Sequence, residues 1–171
     1  MIVGIVATDR NWGIGKKNDL LFHLKKDMQF FTSKTKNQVV FCGYNTLLSF
    51  PGSKPLKNRS TIVLCPEEVE RDDCFCIHNF EEALHLVKEL AKTQDVFVIG
   101  GGMLYTSMLP YYDKVYVTKV DADGEAEVFF PNLDEHPDFE PFGVSYSEVD
   151  EGYNIQFVTY RRKILSKELI K

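Results

Sequence analysis

Short apolar runs rich in β-branched residues recur along the chain and alternate with more polar segments. Such runs carry few charges and are too short for buried helices, which is typical of strands covered on both faces of a sheet. Residues 9–22 are instead polar and contain two glycines, which predicts one long loop. The predicted strands lie at residues 2–8, 39–42, 60–65, 75–78, 96–99, 114–120, 144–149 and 155–160.

Apolar residues at helical spacing occupy most of the intervals between these strands. Asn79 and Glu82 form a capping box before the clearest of these helices, and Pro110 ends another. The order of elements predicts a mainly parallel α/β sheet with helices on both faces and an antiparallel C-terminal edge. The predicted helices lie at residues 25–34, 45–50, 80–92 and 103–109.

Composition restricts the class of protein further. The chain has 171 residues, no repeats and no linker-like tract, so we expect a single domain. A net charge of −5 argues against non-specific binding of nucleic acid, and the longest uncharged run, residues 96–112, is short for a membrane span. Four cysteines without zinc-ligand spacing, together with no visible secretory signal, predict a cytoplasmic protein without a metal site.

Three consecutive glycines, Gly100, Gly101 and Gly102, stand between a predicted buried strand and a predicted helix. Backbone N–H groups at such a position, free of side chains, suit a diphosphate. A tight turn that needs positive φ would use the same residues. The pattern is neither the dinucleotide-binding fingerprint nor a P-loop, so it leaves both interpretations open.

Asp27 lies on the same face of its predicted helix as Leu24, Met28 and Phe31. A carboxylate in an apolar stripe is costly unless it has a task there. One interpretation is structural, because an acid in the first helical turn interacts favourably with the helix dipole and with free N–H groups. The other is a carboxylate in a cleft that binds a cationic heterocycle and assists proton transfer.

Taken in order, these features resemble the dihydrofolate reductase family over nearly the whole chain. Each motif alone is weak, but their order and spacing are specific. The matching segments are residues 5–7, 9–15, 27–31 with Thr35, Gly43 with Thr46, 55–59, 99–105, 109–110, 116–118, 130–131 and 157–161.

The resemblance implies an eight-stranded mixed sheet and the reduction of 7,8-dihydrofolate to 5,6,7,8-tetrahydrofolate, in support of one-carbon metabolism and thymidylate synthesis. NADPH would donate a hydride to C6, and N5 would be protonated. The implied partners are dihydrofolate and antifolate small molecules, and the implied state is a monomer. The family-like domain would span residues 1–163, followed by a C-terminal tail at residues 164–171.

The same resemblance assigns site residues by position. The implied catalytic group is Asp27, Leu20, Phe22 and Thr118. The implied substrate-binding residues are Ile5, Val6, Ala7, Asp27, Met28, Phe31, Phe50, Leu56, Arg59, Ile99 and Tyr105. The implied cofactor-binding residues are Ala7, Ile14, Gly15, Gly43, Tyr44, Asn45, Thr46, Leu64, Cys65, Ile99, Gly100, Gly101, Gly102, Met103, Leu104 and Tyr105.

The chain departs from the family pattern at four positions. Leu21 and Phe22 replace a common Pro-Trp pair, while Tyr44 and Met103 stand where basic residues often contact the cofactor 2′-phosphate. Two alternatives share the expected fold: the related pyrimidine reductase of riboflavin synthesis, and a non-catalytic nucleotide-binding paralogue. The combination of Asp27, Thr118 and Arg59 favours the folate enzyme over both.

Overall fold

The computed structural model describes residues 1–163, and the predicted tail at residues 164–171 lies outside them. The strands are β1 (Ile2–Thr8), β2 (Gly13–Lys16), β3 (Asp19–Leu20), β4 (Val39–Gly43), β5 (Ser60–Leu64), β6 (Phe75–Ile77), β7 (Val96–Gly100), β8 (Lys114–Val120), β9 (Val128–Phe129), β10 (Phe139–Val144), β11 (Glu148–Asp150) and β12 (Tyr153–Arg162). The α-helices are α1 (Lys25–Thr35), α2 (Tyr44–Ser49), α3 (Phe80–Ala91) and α4 (Gly102–Ser107). Short 3-10 turns at Pro51–Ser53 and Leu109–Tyr111 complete the fold. Among the described residues, no helix is long and apolar enough to cross a membrane.

The main sheet has the strand order β10-β12-β8-β1-β7-β4-β5-β6, and β11 pairs with β12 outside this path. Neighbours from β8 through β6 run parallel, whereas β12 is antiparallel to β8, β10 and β11. The predicted eight-stranded mixed sheet with an antiparallel C-terminal edge is therefore confirmed. The short strand β11, which forms a hairpin with β12, adds a ninth strand to this sheet.

Helices cover both faces of this sheet because successive residues of each central strand point to opposite sides. Ile2 and Val6 of β1 belong to a core cluster that also contains residues of α3 and α4. Val3 and Ile5 of the same strand belong to a second cluster, against which aromatic residues of α1 pack. Asn79 caps α3 by accepting a hydrogen bond from the Glu82 N–H at 3.2 Å, as half of a capping box.

Two predictions about local structure are wrong. Residues 9–22 are not one irregular loop, because β2 pairs with β3 and with β9 in a separate small sheet whose partner strand is distant in sequence. The predicted strand at residues 144–149 is interrupted after β10 ends. There the Ser145 hydroxyl oxygen accepts the Phe157 N–H at 2.8 Å, which substitutes a side chain for a backbone partner.

Trp12 shows how the small sheet is anchored. Its side chain is buried, and its ring lies 6.2 Å from that of Phe130 and 5.7 Å from that of Tyr160, measured between centroids. The residue preceding β2 is thus part of the core rather than of an exposed loop. This anchor holds the following residues over the carboxyl ends of the central strands.

Candidate active site

The glycine turn lies where the carboxyl end of β7 meets that of β4. Cys42 and Gly100 are register partners, and a Cβ on Gly43 would lie 3.9 Å from the Gly101 backbone nitrogen. The peptide bond between Gly100 and Gly101 is cis. Sheets of this type bind ligands at these strand ends, so the turn is in the expected place for a ligand.

Close packing explains why side chains are absent from this turn. Gly100 has φ of +122°, a region that favours glycine, whereas Gly101 has an ordinary φ of −87°. A Cβ on Gly101 would lie 3.3 Å from the Thr46 hydroxyl oxygen. Steric fit at Gly101 and backbone conformation at Gly100 are therefore two separate requirements.

The small sheet covers the next glycine. A Cβ on Gly102 would overlap Val128 Cγ1 of β9, and it would lie 3.9 Å from Ile14 Cδ1 of β2. Residues distant in sequence therefore meet over the first turn of α4. Met103, the following residue, is 88% exposed and leaves open space beside it.

The Asp27 carboxyl is held by a strand on the other side of β1. The Thr118 hydroxyl of β8 donates a hydrogen bond of 2.6 Å to Asp27 Oδ1. Thr118 is the register partner of Ala7, which places this pair beside the carboxyl end of β1. The observed partner of the Asp27 carboxyl is thus a side-chain hydroxyl of another strand and not a backbone N–H of α1, which does not support a capping role.

Burial raises the pKa of Asp27, because the ionised carboxylate loses hydration in its mainly apolar surroundings. The Thr118 hydrogen bond lowers the pKa by favouring the charged form, and repulsion from the Asp150 carboxylate raises it. The net direction is upward. A carboxyl whose pKa is shifted toward neutrality is suited to proton transfer.

Tyr105 links strand β1 to the glycine turn from the opposite face of the sheet. Its hydroxyl donates a 2.7 Å hydrogen bond to the Ile5 carbonyl, and its ring carbon Cε2 would lie 3.4 Å from a Cβ on Gly100. Ile5 and Ile99 belong to one core cluster, with Phe31 and Phe50 packed against it. An apolar wall therefore runs from the acid side of β1 toward the turn.

Arg59 lies at the outer end of this wall. Its guanidinium donates to the Lys57 carbonyl at 2.7 Å and to the Thr35 hydroxyl at 3.2 Å, and it lies 5.9 Å from the centre of the Phe31 ring. Partial burial lowers the pKa of Arg59, but an arginine remains charged at neutral pH. Within residues 1–163, no carboxylate forms a salt bridge with it.

Other predicted site residues differ in accessibility. Leu20 and Met28 are about half exposed, and Leu56 and Phe22 are half-buried, with the Phe22 ring 4.9 Å from that of Tyr153. The side chains of Val6, Ile14, Leu104 and Tyr105 belong to the core on the opposite face from Asp27. Those of Val6 and Leu104 are therefore unavailable to a ligand on the Asp27 side.

The cofactor-binding prediction also includes residues on β2, α2 and the end of β5. Gly43, Tyr44, Thr46 and Leu64 are half-buried at the strand ends, Asn45 is exposed, and the Cys65 side chain is buried. Gly15 on β2 is half-buried, with the Asp19 carbonyl oxygen 3.1 Å from the position of a Cβ. These residues line the edge on which the glycine turn lies.

Sequence reasoning missed Asp150, which lies beside Asp27 although 123 positions separate them. Asp150 is the last residue of β11, which pairs with β12, and this hairpin brings the acid into contact with the start of α1. Asp150 and Glu151 have the pattern of a solvated acidic turn in the sequence. Only the contact of this hairpin with the distant helix α1 distinguishes the buried acid from its exposed neighbour.

The cysteines do not form a metal site within the described range. Cys74, Cys76 and His78 alternate along one segment, but no group of three potential ligands in residues 1–163 is arranged to hold a metal ion. Burial raises the pKa of the Cys42 thiol to about 12 and also raises that of Cys65. These thiols are thus protonated at neutral pH and poorly reactive.

Comparison with known proteins agrees with this geometry. The family model described as dihydrofolate reductase matches residues 1–162. The dihydrofolate reductase of Bacillus subtilis is 33% identical over 170 residues, which cover 98% of each chain. That of Haemophilus influenzae is 32% identical over 161 residues, covering 93% of this chain and 97% of the relative.

A solved structure gives the same result for the fold. Dihydrofolate reductase from Enterococcus faecalis, in complex with NADP(H) and RAB-propyl, matches with a TM-score of 0.83 and 30% identity. The match covers 96% of this chain and 97% of that chain. With a family model spanning nearly all described residues and relatives aligned over their full length, the chain belongs to the dihydrofolate reductase family of oxidoreductases.

Proposed function

We propose that the protein catalyses the NADPH-dependent reduction of 7,8-dihydrofolate to 5,6,7,8-tetrahydrofolate. The observation that carries the proposal is the hydrogen bond between the Asp27 carboxyl and Thr118. It lies beside the carboxyl end of β1, the strand next to β7, which ends in the glycine turn. Family membership supports the same activity. A single acid beside an apolar wall suits a flat heterocycle with several N–H donors on one edge.

Asp27 binds the N3 and 2-amino groups of the pterin and thereby fixes the orientation of the ring. Thr118 holds the carboxyl by donating to Oδ1, and Oδ2 accepts from the substrate. Because its pKa is raised, the carboxyl exchanges a proton at a higher pH than an exposed aspartate does, and it supports protonation of N5 through water. Leu20 and Phe22, on the segment before α1, restrict access of bulk water to this proton.

The apolar side chains that accompany Asp27 bind the rest of the substrate. Ile5, Ile99, Phe31 and Phe50, which form or pack against one cluster, contact the pterin and aminobenzoyl rings. Met28 and Leu56 extend this surface. Excluding water from the rings strengthens the electrostatic interactions of the acid, because the dielectric constant of its surroundings falls.

The glycine turn fits a dinucleotide at the adjoining strand ends. A side chain at Gly101 would come within 3.3 Å of Thr46, so glycine keeps the crevice between α2 and α4 open to a diphosphate. When bound, NADPH supplies the hydride that reduces C6. Thr46 and the backbone of residues 100–105 hold the cofactor, and Ile14 and Gly15 of β2 cover it.

Arg59→Lys tests the substrate class. In this proposal Arg59 binds the glutamate α-carboxylate of dihydrofolate with two parallel hydrogen bonds, which lysine cannot reproduce although it keeps the charge. Losing one charge-assisted bond, worth about 1.5–3 kcal/mol, should raise KM for dihydrofolate roughly tenfold to a hundredfold. Steady-state kinetics with dihydrofolate and with a pterin that lacks the glutamate will measure the difference.

The control for this variant is Arg161→Lys, which changes an exposed arginine on β12 that pairs with Glu140. It should leave both KM values unchanged. If Arg59→Lys affected the two substrates equally, Arg59 would not contact the glutamate, and the proposed substrate orientation would be wrong.

Tyr44→Arg and Met103→Arg test how the cofactor is distinguished from NADH. We expect the wild type to prefer NADPH by less than family enzymes with basic residues at both positions. Each added arginine should increase the ratio of kcat/KM for NADPH to that for NADH by roughly tenfold, from one charge-assisted contact of about 1.5 kcal/mol. Met103 is exposed, so an arginine there has room to extend.

Tyr44→Phe and Met103→Leu serve as uncharged controls and should keep the wild-type ratio. An unchanged ratio in both arginine variants would place the 2′-phosphate elsewhere. Equal wild-type efficiency with NADPH and NADH would contradict the expected preference itself.

The activity is tested directly by following NADPH absorbance with dihydrofolate. Oxidation of NADPH that depends on dihydrofolate supports the proposal. Oxidation only with the pyrimidine substrate of riboflavin synthesis would identify the related reductase, and cofactor binding without turnover would identify a non-catalytic paralogue. Either result contradicts the proposed function.

Three further properties belong to this proposal. The domain spans residues 1–163, acts as a monomer and functions in the cytoplasm. Antifolates that mimic the pterin bind by pairing with Asp27, in support of which the similar Enterococcus faecalis enzyme was solved with RAB-propyl and NADP(H).

A further inference from the structure

The helix that carries Asp27 receives its N-terminal cap from a distant hairpin. Asp150 Oδ2 accepts hydrogen bonds from the backbone N–H of Lys26 at 2.9 Å and of Asp27 at 3.2 Å. The local N-cap residue, Leu24, has no side chain that could accept them. Helix starts leave such N–H groups without partners inside the helix, so Asp150 satisfies two of them.

The hairpin holds Asp150 rigidly in this position. Asp150 pairs with Tyr153 across the turn, and the two turn residues, Glu151 and Gly152, both have positive φ, as tight hairpin turns require. The Lys26 ammonium also donates to the Val149 carbonyl at 2.8 Å. Three hydrogen bonds thus join the start of α1 to this hairpin.

Asp150 is 3% exposed, so a carboxylate charge at this position is shielded little by water. Its effect on Asp27 is repulsive. The other ionisable groups nearby are Tyr105, Lys26 and Glu148. Tyr105 approaches from the opposite face of the sheet, whereas Lys26 and Glu148 lie at the surface with their charged atoms 3.8 Å apart. Asp150 is therefore the acid that most directly affects Asp27.

We propose that Asp150 is a positioning residue for the reduction of dihydrofolate: through the first turn of α1 it fixes the Asp27 carboxyl against Thr118, and its negative charge favours a proton at the reacting centre. This inference rests on the proposed function. Asp150 does not touch the substrate. It acts by holding the backbone of Asp27 and by its charge.

Asp150→Asn and Asp150→Ala separate these two effects. Asparagine keeps an acceptor oxygen for the helix N–H groups but removes the charge, whereas alanine removes both. With Asn, we expect kcat and KM near the pH optimum within about threefold of wild type, because the cap persists. The midpoint of the pH–rate profile should move to lower pH by a few tenths of a unit or more, since the repulsion that favours protonation is gone.

Alanine should lower kcat by about tenfold or more, because the acid is no longer held in its productive position. The pH midpoint should shift as in the Asn variant. A positioning role is indicated if kcat of Asp150→Asn stays near the wild-type value while the midpoint of its pH–rate profile shifts as in Asp150→Ala. Glu148→Gln, which removes an exposed charge from the same hairpin, is the matched control and should change neither.

A measurement without turnover keeps this inference separate from the proposed function. Titration of the Asp27 carboxyl by carbon-13 NMR in the protein without ligands should show a lower pKa in Asp150→Asn than in wild type. An unchanged Asp27 titration together with a wild-type pH–rate profile would contradict the inference. If the wild type did not reduce dihydrofolate, the proposed function would fail, and with it the role in catalysis, whatever the titration showed.

Discussion

Replacing Asp27 by asparagine is expected to lower turnover at neutral pH by about two to four orders of magnitude, the usual scale for a lost acid–base group. Asparagine is nearly isosteric and can still accept the Thr118 hydrogen bond, so the fold should persist. It cannot carry the charge that binds the pterin or support protonation of N5. Activity should recover partly at low pH, where solvent protonates dihydrofolate before reduction.

Stability provides an independent readout of the same variant. Because burial raises the pKa of Asp27 in the folded protein, its contribution to stability is lost as the pH rises through that raised pKa. The Asn variant lacks this titration and should be at least as stable as wild type at neutral pH. If Asp27 only stabilised the helix dipole, its replacement by asparagine would instead destabilise the protein by about 0.3–1 kcal/mol, because the negative charge near the helix N-terminus is lost.

Asp72→Asn is a suitable control, because it removes an exposed carboxylate from the loop before β6. It should retain wild-type turnover and pH dependence. Full activity of Asp27→Asn at neutral pH would disprove the proposed mechanism, irrespective of the fold.

Gly101→Val is expected to abolish NADPH binding while the protein stays folded. A Cβ at this position already approaches the Thr46 hydroxyl at 3.3 Å, and the two γ-methyl groups of valine would occupy the space beside it. We expect the dissociation constant for NADPH to rise by about a hundredfold or more, which corresponds to about 2.7 kcal/mol. Fluorescence titration with NADPH, with circular dichroism to verify folding, measures both properties.

Gly143→Val is the matched control, since a Cβ there has no atom within 4 Å. It should bind NADPH as the wild type does. Unchanged affinity in a folded Gly101→Val protein would show that the diphosphate does not approach the turn, and the cofactor position would have to be revised.

The central strands and the long helices could be predicted from the sequence, because their signals are local. The run that forms β7 is apolar on both faces, and α3 combines a cap with an apolar stripe, so burial and periodicity agree. The interrupted strand at residues 144–149 could not be predicted, because its end depends on a bond between Ser145 and Phe157 of a distant strand. The pairing of β2 with β9 could not be predicted either, because the two strands are far apart in the sequence.

The same distinction applies to the candidate site. The sequence by itself determined that Asp27 is an acid in an apolar stripe and that three glycines follow a buried strand. The family resemblance added Thr118 to the same catalytic group, and in the structure Thr118 donates a hydrogen bond to Asp27. Only the tertiary structure decided between capping and a held carboxyl for Asp27. It assigned the cap to Asp150, which lies 123 positions from Asp27 and is buried where the β11–β12 hairpin contacts α1. Local patterns report a residue's own environment, whereas charge coupling and capping across the fold depend on which distant elements come into contact.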